Sequence, residues 1–138
     1  MGRDASRRGQ SLVEFALVLP VLAILLLGLI DLGRLFYAYV GVTGAAGEGA
    51  AHAARVARDP DPDLDLESEV KTRTVEASEG LVEIEEDQVT VSTVTESSDS
   101  ITVTVTYDFE LITPLVRSIA SGGVLPLRAV AVRGLGPG

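Results

Sequence analysis

From Leu12 to Ile30 the chain is a nearly unbroken apolar run, and its only charged residue is Glu14, close to the start. As a helix this stretch is about 28 Å long at 1.5 Å per residue, near the hydrocarbon thickness of a bilayer. The run is therefore expected to cross a membrane, with a transmembrane helix over residues 10–31. A carboxylate in that setting costs on the order of 2.5–3.5 kcal/mol even on the gentler insertion scales. Glu14 needs a reason to be there.

Charge sets the expected orientation. Arg3, Arg7 and Arg8 precede the run, opposed only by Asp4, whereas residues 59–110 hold sixteen acids against Lys71 and Arg73. A short basic leader followed by an acidic body places the N-terminus in the cytoplasm and the C-terminal domain outside. The acidic body would repel phosphates, which argues against nucleic acid as a partner. With no cysteine, disulfides, a lipoprotein anchor and thiolate metal sites are excluded, and the single histidine, His52, rules out multi-imidazole clusters. The 138 residues divide into a basic cytoplasmic leader (1–9), the transmembrane helix (10–31), an amphipathic extracytoplasmic helix (32–58) and a small acidic α+β extracytoplasmic domain (59–138).

Three readings compete for the start of the chain. A cleaved signal peptide needs a shorter apolar stretch with small residues just beyond it, and the first such cluster, Gly44–Gly47, lies more than a dozen residues past the end of the run. A plain anchor explains the length and the flanking charge but leaves Glu14 without a role. The third reading uses every part. Gly9 and Glu14, with four residues between them, sit at the junction of leader and apolar helix. That pattern resembles the processing site of type IV prepilins, where an integral-membrane peptidase cuts after the glycine. The resemblance implies a new amine on Gln10. Residues four apart share a helix face, so Glu14 would approach that amine, and a carboxylate in the first turns meets the positive end of the helix dipole. In an assembly it would neutralise a neighbouring subunit's amine.

The likeness extends along roughly residues 8–57. Gly9-Gln10, Val13-Glu14-Phe15-Ala16, Pro20, Asp31-Leu32-Gly33-Arg34, Glu48-Gly49-Ala50 and Ala53-Ala54-Arg55 together resemble the TadE-like family of pseudopilins, which serve the tight-adherence (Tad/Flp) pilus assembly system. The resemblance implies a processing site at Gly9, Gln10 and Glu14, and helix–helix assembly through Glu14, Phe15, Pro20, Asp31 and Arg34. It implies other pilins and pseudopilins, a prepilin peptidase, the Tad secretion platform proteins and the lipid bilayer as partners. It also implies a pilin-like α+β fold: a long N-terminal transmembrane helix continuing into an amphipathic half, packed on a small antiparallel sheet of about three strands.

The residues beyond the run agree with that plan. Asp31 and Arg34 suit an ion pair at the helix exit. An apolar rhythm through Leu32, Leu35, Phe36, Tyr39, Val40, Ala46, Ala50, Ala53, Ala54 and Ala57 carries the helix to about Arg58. Phe36, Tyr37 and Tyr39 fall where an interfacial aromatic belt is expected, or serve as core residues of the amphipathic half. Pro20 is expected to kink or loosen the span, and the glycines between Gly41 and Gly49 to bend or break the helix. Asp59–Asp63, with its two prolines, is a stiff acidic connector. Residues 64–80 carry a weaker helical pattern closed by Gly80. Strand patterns follow at 82–95, interrupted at Glu85-Glu86-Asp87, then a turn at Ser97–Ser100. Residues 101–111 alternate almost perfectly, Thr113-Pro114 opens a short helix to about Ala120, and a last strand spans about Leu125–Arg133.

Chemistry of other kinds finds little support. An EF-hand loop opening at Asp59 would need glycine and glutamate where Leu64 and Val70 stand. His52 has no ligand pair beside it, Ser11 and the Ser97–Ser100 cluster lack a base, and no phosphate-binding glycine loop is present. No metal, cofactor or enzymatic activity is expected. The alternative to the pilus role is a membrane-tethered extracytoplasmic binding protein that never enters a pilus.

Overall fold

The computed structural model describes residues 3–58, 64–94, 100–119 and 122–134. In chain order the elements are helix α1 (Arg3–Val56), helix α2 (Leu66–Ser78), strand β1 (Val89–Val94), strand β2 (Ser100–Glu110), helix α3 (Pro114–Ile119) and strand β3 (Val124–Gly134). The strands form one antiparallel sheet in the order β1-β2-β3. The fold is α+β, a long apolar N-terminal helix followed by a short helix and this sheet. By packing, the chain divides into two units, Met1–Arg34 with Glu110–Val124, and Leu35–Phe109 with Leu125–Gly138.

The second unit holds the larger core. β2 buries Ile101, Val103, Val105 and Phe109 on one face, the alternation its sequence predicts. β1 pairs antiparallel with it in the register Val89↔Val105, Val91↔Val103. From α1 the core receives Ala38, Val42, Ala45, Ala46, Ala50, Ala53 and Ala54, and from α2 Val70 and Thr74. α2 is capped by Asp65, whose carboxylate accepts the Glu67 N–H at 3.1 Å. On its surface Lys71 binds Glu67 at 2.7 Å, which holds the ammonium above the usual lysine range. Gly80, at φ +79°, supplies the left-handed backbone that turns the chain away from α2.

Three expectations are corrected here. The buried stripe of α1 beyond the membrane run is made mostly of small residues, with Val42 among them. Ala46, Ala50, Ala53 and Ala54 lie in it as expected, but Leu32, Phe36, Tyr39 and Val40 are exposed. Alanines bury little area each, yet they let other backbone approach closely. Gly41 and Gly49 do not break α1, which is continuous through them. A Cβ on Gly41 would overlap Val82 Cγ2, and one on Gly49 would overlap Thr74 Oγ1, so these glycines mark close approach. Finally, the strand expected over 82–95 is confined to β1. Val82 and Ile84 are buried without pairing, and Glu86–Gln88 form a 3-10 turn closed by the Glu85 N–H donating to Gln88 Oε1 at 2.9 Å. α1 stays helical through Pro20. The connector at 59–63, the acidic residues at its start, the turn at 97–99 and Ala120 lie outside the described residues.

In the first unit, the chain leaving β2 is fastened by the Leu111 N–H donating to Gly123 O at 2.9 Å. α3 opens with the Arg117 N–H donating to Thr113 O at 3.0 Å. Thr113 thus stands immediately before Pro114 at the opening of the short helix, as the sequence predicts, while its buried hydroxyl has no hydrogen-bond partner among the described residues.

Candidate functional site

The N-terminal junction and the exit of the apolar run each hold an acid on α1, and the two acids differ sharply in setting. At the junction, Gln10 Nε2 donates to Glu14 Oε1 at 3.2 Å, so the two side chains share a face one turn apart. Side chains on a helix tilt toward its N-terminus, which aims the carboxylate back toward Gly9 and Gln10. Gly9, Gln10 and Glu14 are all exposed. So are the side chains that follow, Phe15 at 61% and Pro20 among them, and none of the most apolar window of α1 is buried within the protein.

That exposure dictates an environment. Leaving a Leu, Ile, Val or Phe side chain in water forfeits about 1.5–3 kcal/mol relative to burial, and this surface repeats the cost along the whole run. Lipid or neighbouring apolar helices must cover it.

At the exit, Asp31 is only 3% exposed. Its Oδ2 accepts the Thr113 N–H at 2.8 Å and its Oδ1 accepts the Ile112 N–H at 3.0 Å. Arg34 Nη1 lies 3.3 Å from Asp31 Oδ1 and donates also to the Glu110 carbonyl at 3.4 Å. A carboxylate with two backbone donors and a guanidinium is well satisfied in a buried place. The arrangement clamps the segment between β2 and α3 to the helix one turn after the apolar run ends. The Asp31–Arg34 pairing follows from their spacing. The bonds to Ile112 and Thr113 span more than 80 positions, and no local pattern carries them.

Farther along α1, Tyr37 donates its hydroxyl to Gly80 O at 3.4 Å while remaining half exposed, so its ring edge stays outside the core. His52 Nε2 lies 3.4 Å from Glu69 Oε1. Among the described residues no three His, Asp or Glu side chains gather as a metal ion would require.

The helix is long and apolar enough to cross a membrane, consistent with a single-pass membrane protein carrying a small α+β domain. The family model described as TadE-like protein matches residues 9–51, about a third of the chain, from the junction glycine to just past Ala50. The match takes in most of the residues that carry the resemblance, with Ala53-Ala54-Arg55 lying beyond it, and that segment is similar to TadE-like proteins. No curated protein and no solved structure matches the chain.

Proposed function

We propose that this chain is a pseudopilin of Tad/Flp-type pilus assembly, cut after Gly9 by a prepilin peptidase and held in the cytoplasmic membrane of a bacterium with its C-terminal domain outside. One observation carries the reading: Gly9, Gln10 and Glu14 open the TadE-like segment at the head of an apolar helix that the protein itself leaves uncovered. Cleavage would turn the Gln10 amide into a charged amine. Glu14, one turn on, is then placed to pair with the amine of its own or a neighbouring chain, and the cost of a carboxylate in the bilayer falls. Phe15 and Pro20 belong to the helix surface on which other pilins and pseudopilins would pack. Asp31 and Arg34, at its exit, hold the segment between β2 and α3 against the helix as the helix is engaged by the secretion platform. In this role the chain is a peptidase's substrate and a structural component, and it catalyses nothing.

The test is the mature N-terminus and intact mass of the protein purified from membranes of its native host. A chain beginning at Gln10, lost when Gly9 is replaced, is the expected result. A chain still carrying Arg7 and Arg8 in cells with an active prepilin peptidase would overturn the processing step. The membrane-tethered binding protein would then be the better account.

A further inference from the structure

The charge of the domain is segregated in the fold as well as along the chain. Residues 59–110 carry sixteen acids and two bases, whereas residues 111–138 carry Arg117, Arg128 and Arg133 and no acid. β3 brings Arg128 and Arg133 to one edge of the sheet, separated from β1 by β2. Both arginines are exposed, and neither has an ion pair among the described residues. Beside Arg128 on the same face of β3 stand Val130 and Val132, 54% and 59% exposed.

The other end of the sheet has the opposite character. α2 packs against β1 and the 3-10 turn, and the segment leaving α2 forms an open depression. Val75 and Leu81 line it, and Glu79, Glu83 and Glu85 rim it. Leu81 is 43% exposed, and Glu79 and Glu83 have no ion pair among the described residues.

We infer that these two surfaces are complementary halves of one contact between copies of this chain. Arg128 and the exposed Val130 and Val132 on the outer face of β3 in one copy would seat on the glutamate-rimmed depression in the next. Opposite charges would steer the approach, and the valines would cover Val75 and Leu81. Because the two surfaces lie at opposite ends of the sheet, the contact is head-to-tail. It leaves one free surface of each kind at the ends of a growing row. Pro126 removes a backbone donor from β3, which disfavours the symmetric alternative of two β3 edges pairing through their backbones. The inference rests on charge and exposure alone, so it holds whether or not the N-terminus is processed.

The chain has no cysteine, which makes disulfide trapping clean. Full-length V132C and E83C proteins, mixed in nonionic detergent micelles at low salt and mildly oxidised, are expected to give a mixed disulfide dimer. Each alone should give little. Adding R128E to the V132C chain should cut the mixed product about tenfold, as juxtaposed like charges do. Adding E79K/E85K to the E83C partner should then restore it, which shows that both variants are folded. About 1 M salt, where screening acts within roughly 3 Å, should suppress the wild-type-charge reaction. V132C self-dimers forming as readily as the mixed product would overturn the inference in favour of symmetric edge pairing. Mixed product indifferent to salt and to charge reversal would overturn it in favour of association through the apolar helix alone. Absence of any cross-link at low salt would mean that another partner covers these surfaces.

Discussion

Gly49→Ala sets helix propensity against packing, and the structure says which wins. A Cβ on Gly49 would overlap Thr74 Oγ1 and would lie 3.3 Å from Thr74 Cβ and 3.5 Å from Val103 Cγ1. Thr74 has nowhere easy to go. It is fully buried, and its hydroxyl donates to Val70 O at 2.7 Å. Alanine gains about 0.8–1 kcal/mol over glycine in a helix interior. Overpacking a filled site costs about 1–3 kcal/mol. Driving the Thr74 hydroxyl off its acceptor adds roughly 1 kcal/mol. The net expectation is a loss of about 1–3 kcal/mol.

Thr74→Ala removes the obstructing oxygen and should cost about 1 kcal/mol by itself. In the double variant the overlap with Oγ1 is gone, but the new methyl still lies 3.3 Å from the Cβ of residue 74 as well as 3.5 Å from Val103 Cγ1, so part of the propensity gain survives. G49A/T74A should therefore be at least as stable as T74A, a coupling of about 1 kcal/mol or more across the α1–α2 contact. The assay is urea unfolding of the full chain in nonionic micelles, followed by the fluorescence of Tyr37, Tyr39 and Tyr107, since the chain has no tryptophan. Strictly additive effects, or a G49A protein as stable as the parent, would refute the close-approach account of this glycine.

Two further perturbations address the acids of α1. Asp31→Ala strips the acceptor from two backbone N–H groups. Ile112 is exposed and can turn to water, but Thr113 is 1% exposed, so the loss should be about 2–4 kcal/mol and should appear as faster hydrogen exchange at the Thr113 amide. Unchanged exchange there would deny Asp31 its clamping role. Glu14→Leu should leave membrane insertion intact, since it removes a charge from an apolar run, yet impair pilus assembly in the native host. Normal pili in that strain would deny Glu14 a part in subunit recognition.

Periodicity made much of this fold legible. The alternation in 101–111 specifies β2 and its buried face, because a strand with one face in a core must repeat every second residue. Gly80 and Pro114 mark the end of α2 and the start of α3 through backbone constraints that act locally. What stayed hidden depended on contacts distant in sequence. Asp31 looks like half of an i, i+3 surface pair until the loop at Ile112–Thr113 arrives beside it. Glycines in a helix signal weakness by propensity alone, and only a neighbour such as Thr74 or Val82 reveals that they make room. The 82–84 segment has the valine and isoleucine of a strand, and its burial is real. The capped turn at Glu86–Gln88 keeps it out of the sheet.

The misplaced stripe of α1 has a physical explanation that bears on function. An apolar rhythm that mixes Leu32, Phe36, Tyr39 and Val40 with alanines does not by itself say which members enter the core. The structure separates them by size. Mostly small residues, with Val42 the exception, face the core, where close packing rewards a thin helix, and Phe36, Tyr39 and Val40 remain exposed. The apolar surface of the membrane run therefore does not stop at Asp31 but continues past it on the outward side of the same helix. A lone anchor has no use for apolar side chains beyond the bilayer. A helix that must pack against other helices along its length does, and lipid at the membrane surface would welcome the aromatic members. The exposed Phe36, Tyr37 and Tyr39 therefore suit an interfacial belt and a helix-packing surface alike, and a partner of either kind would keep them from water.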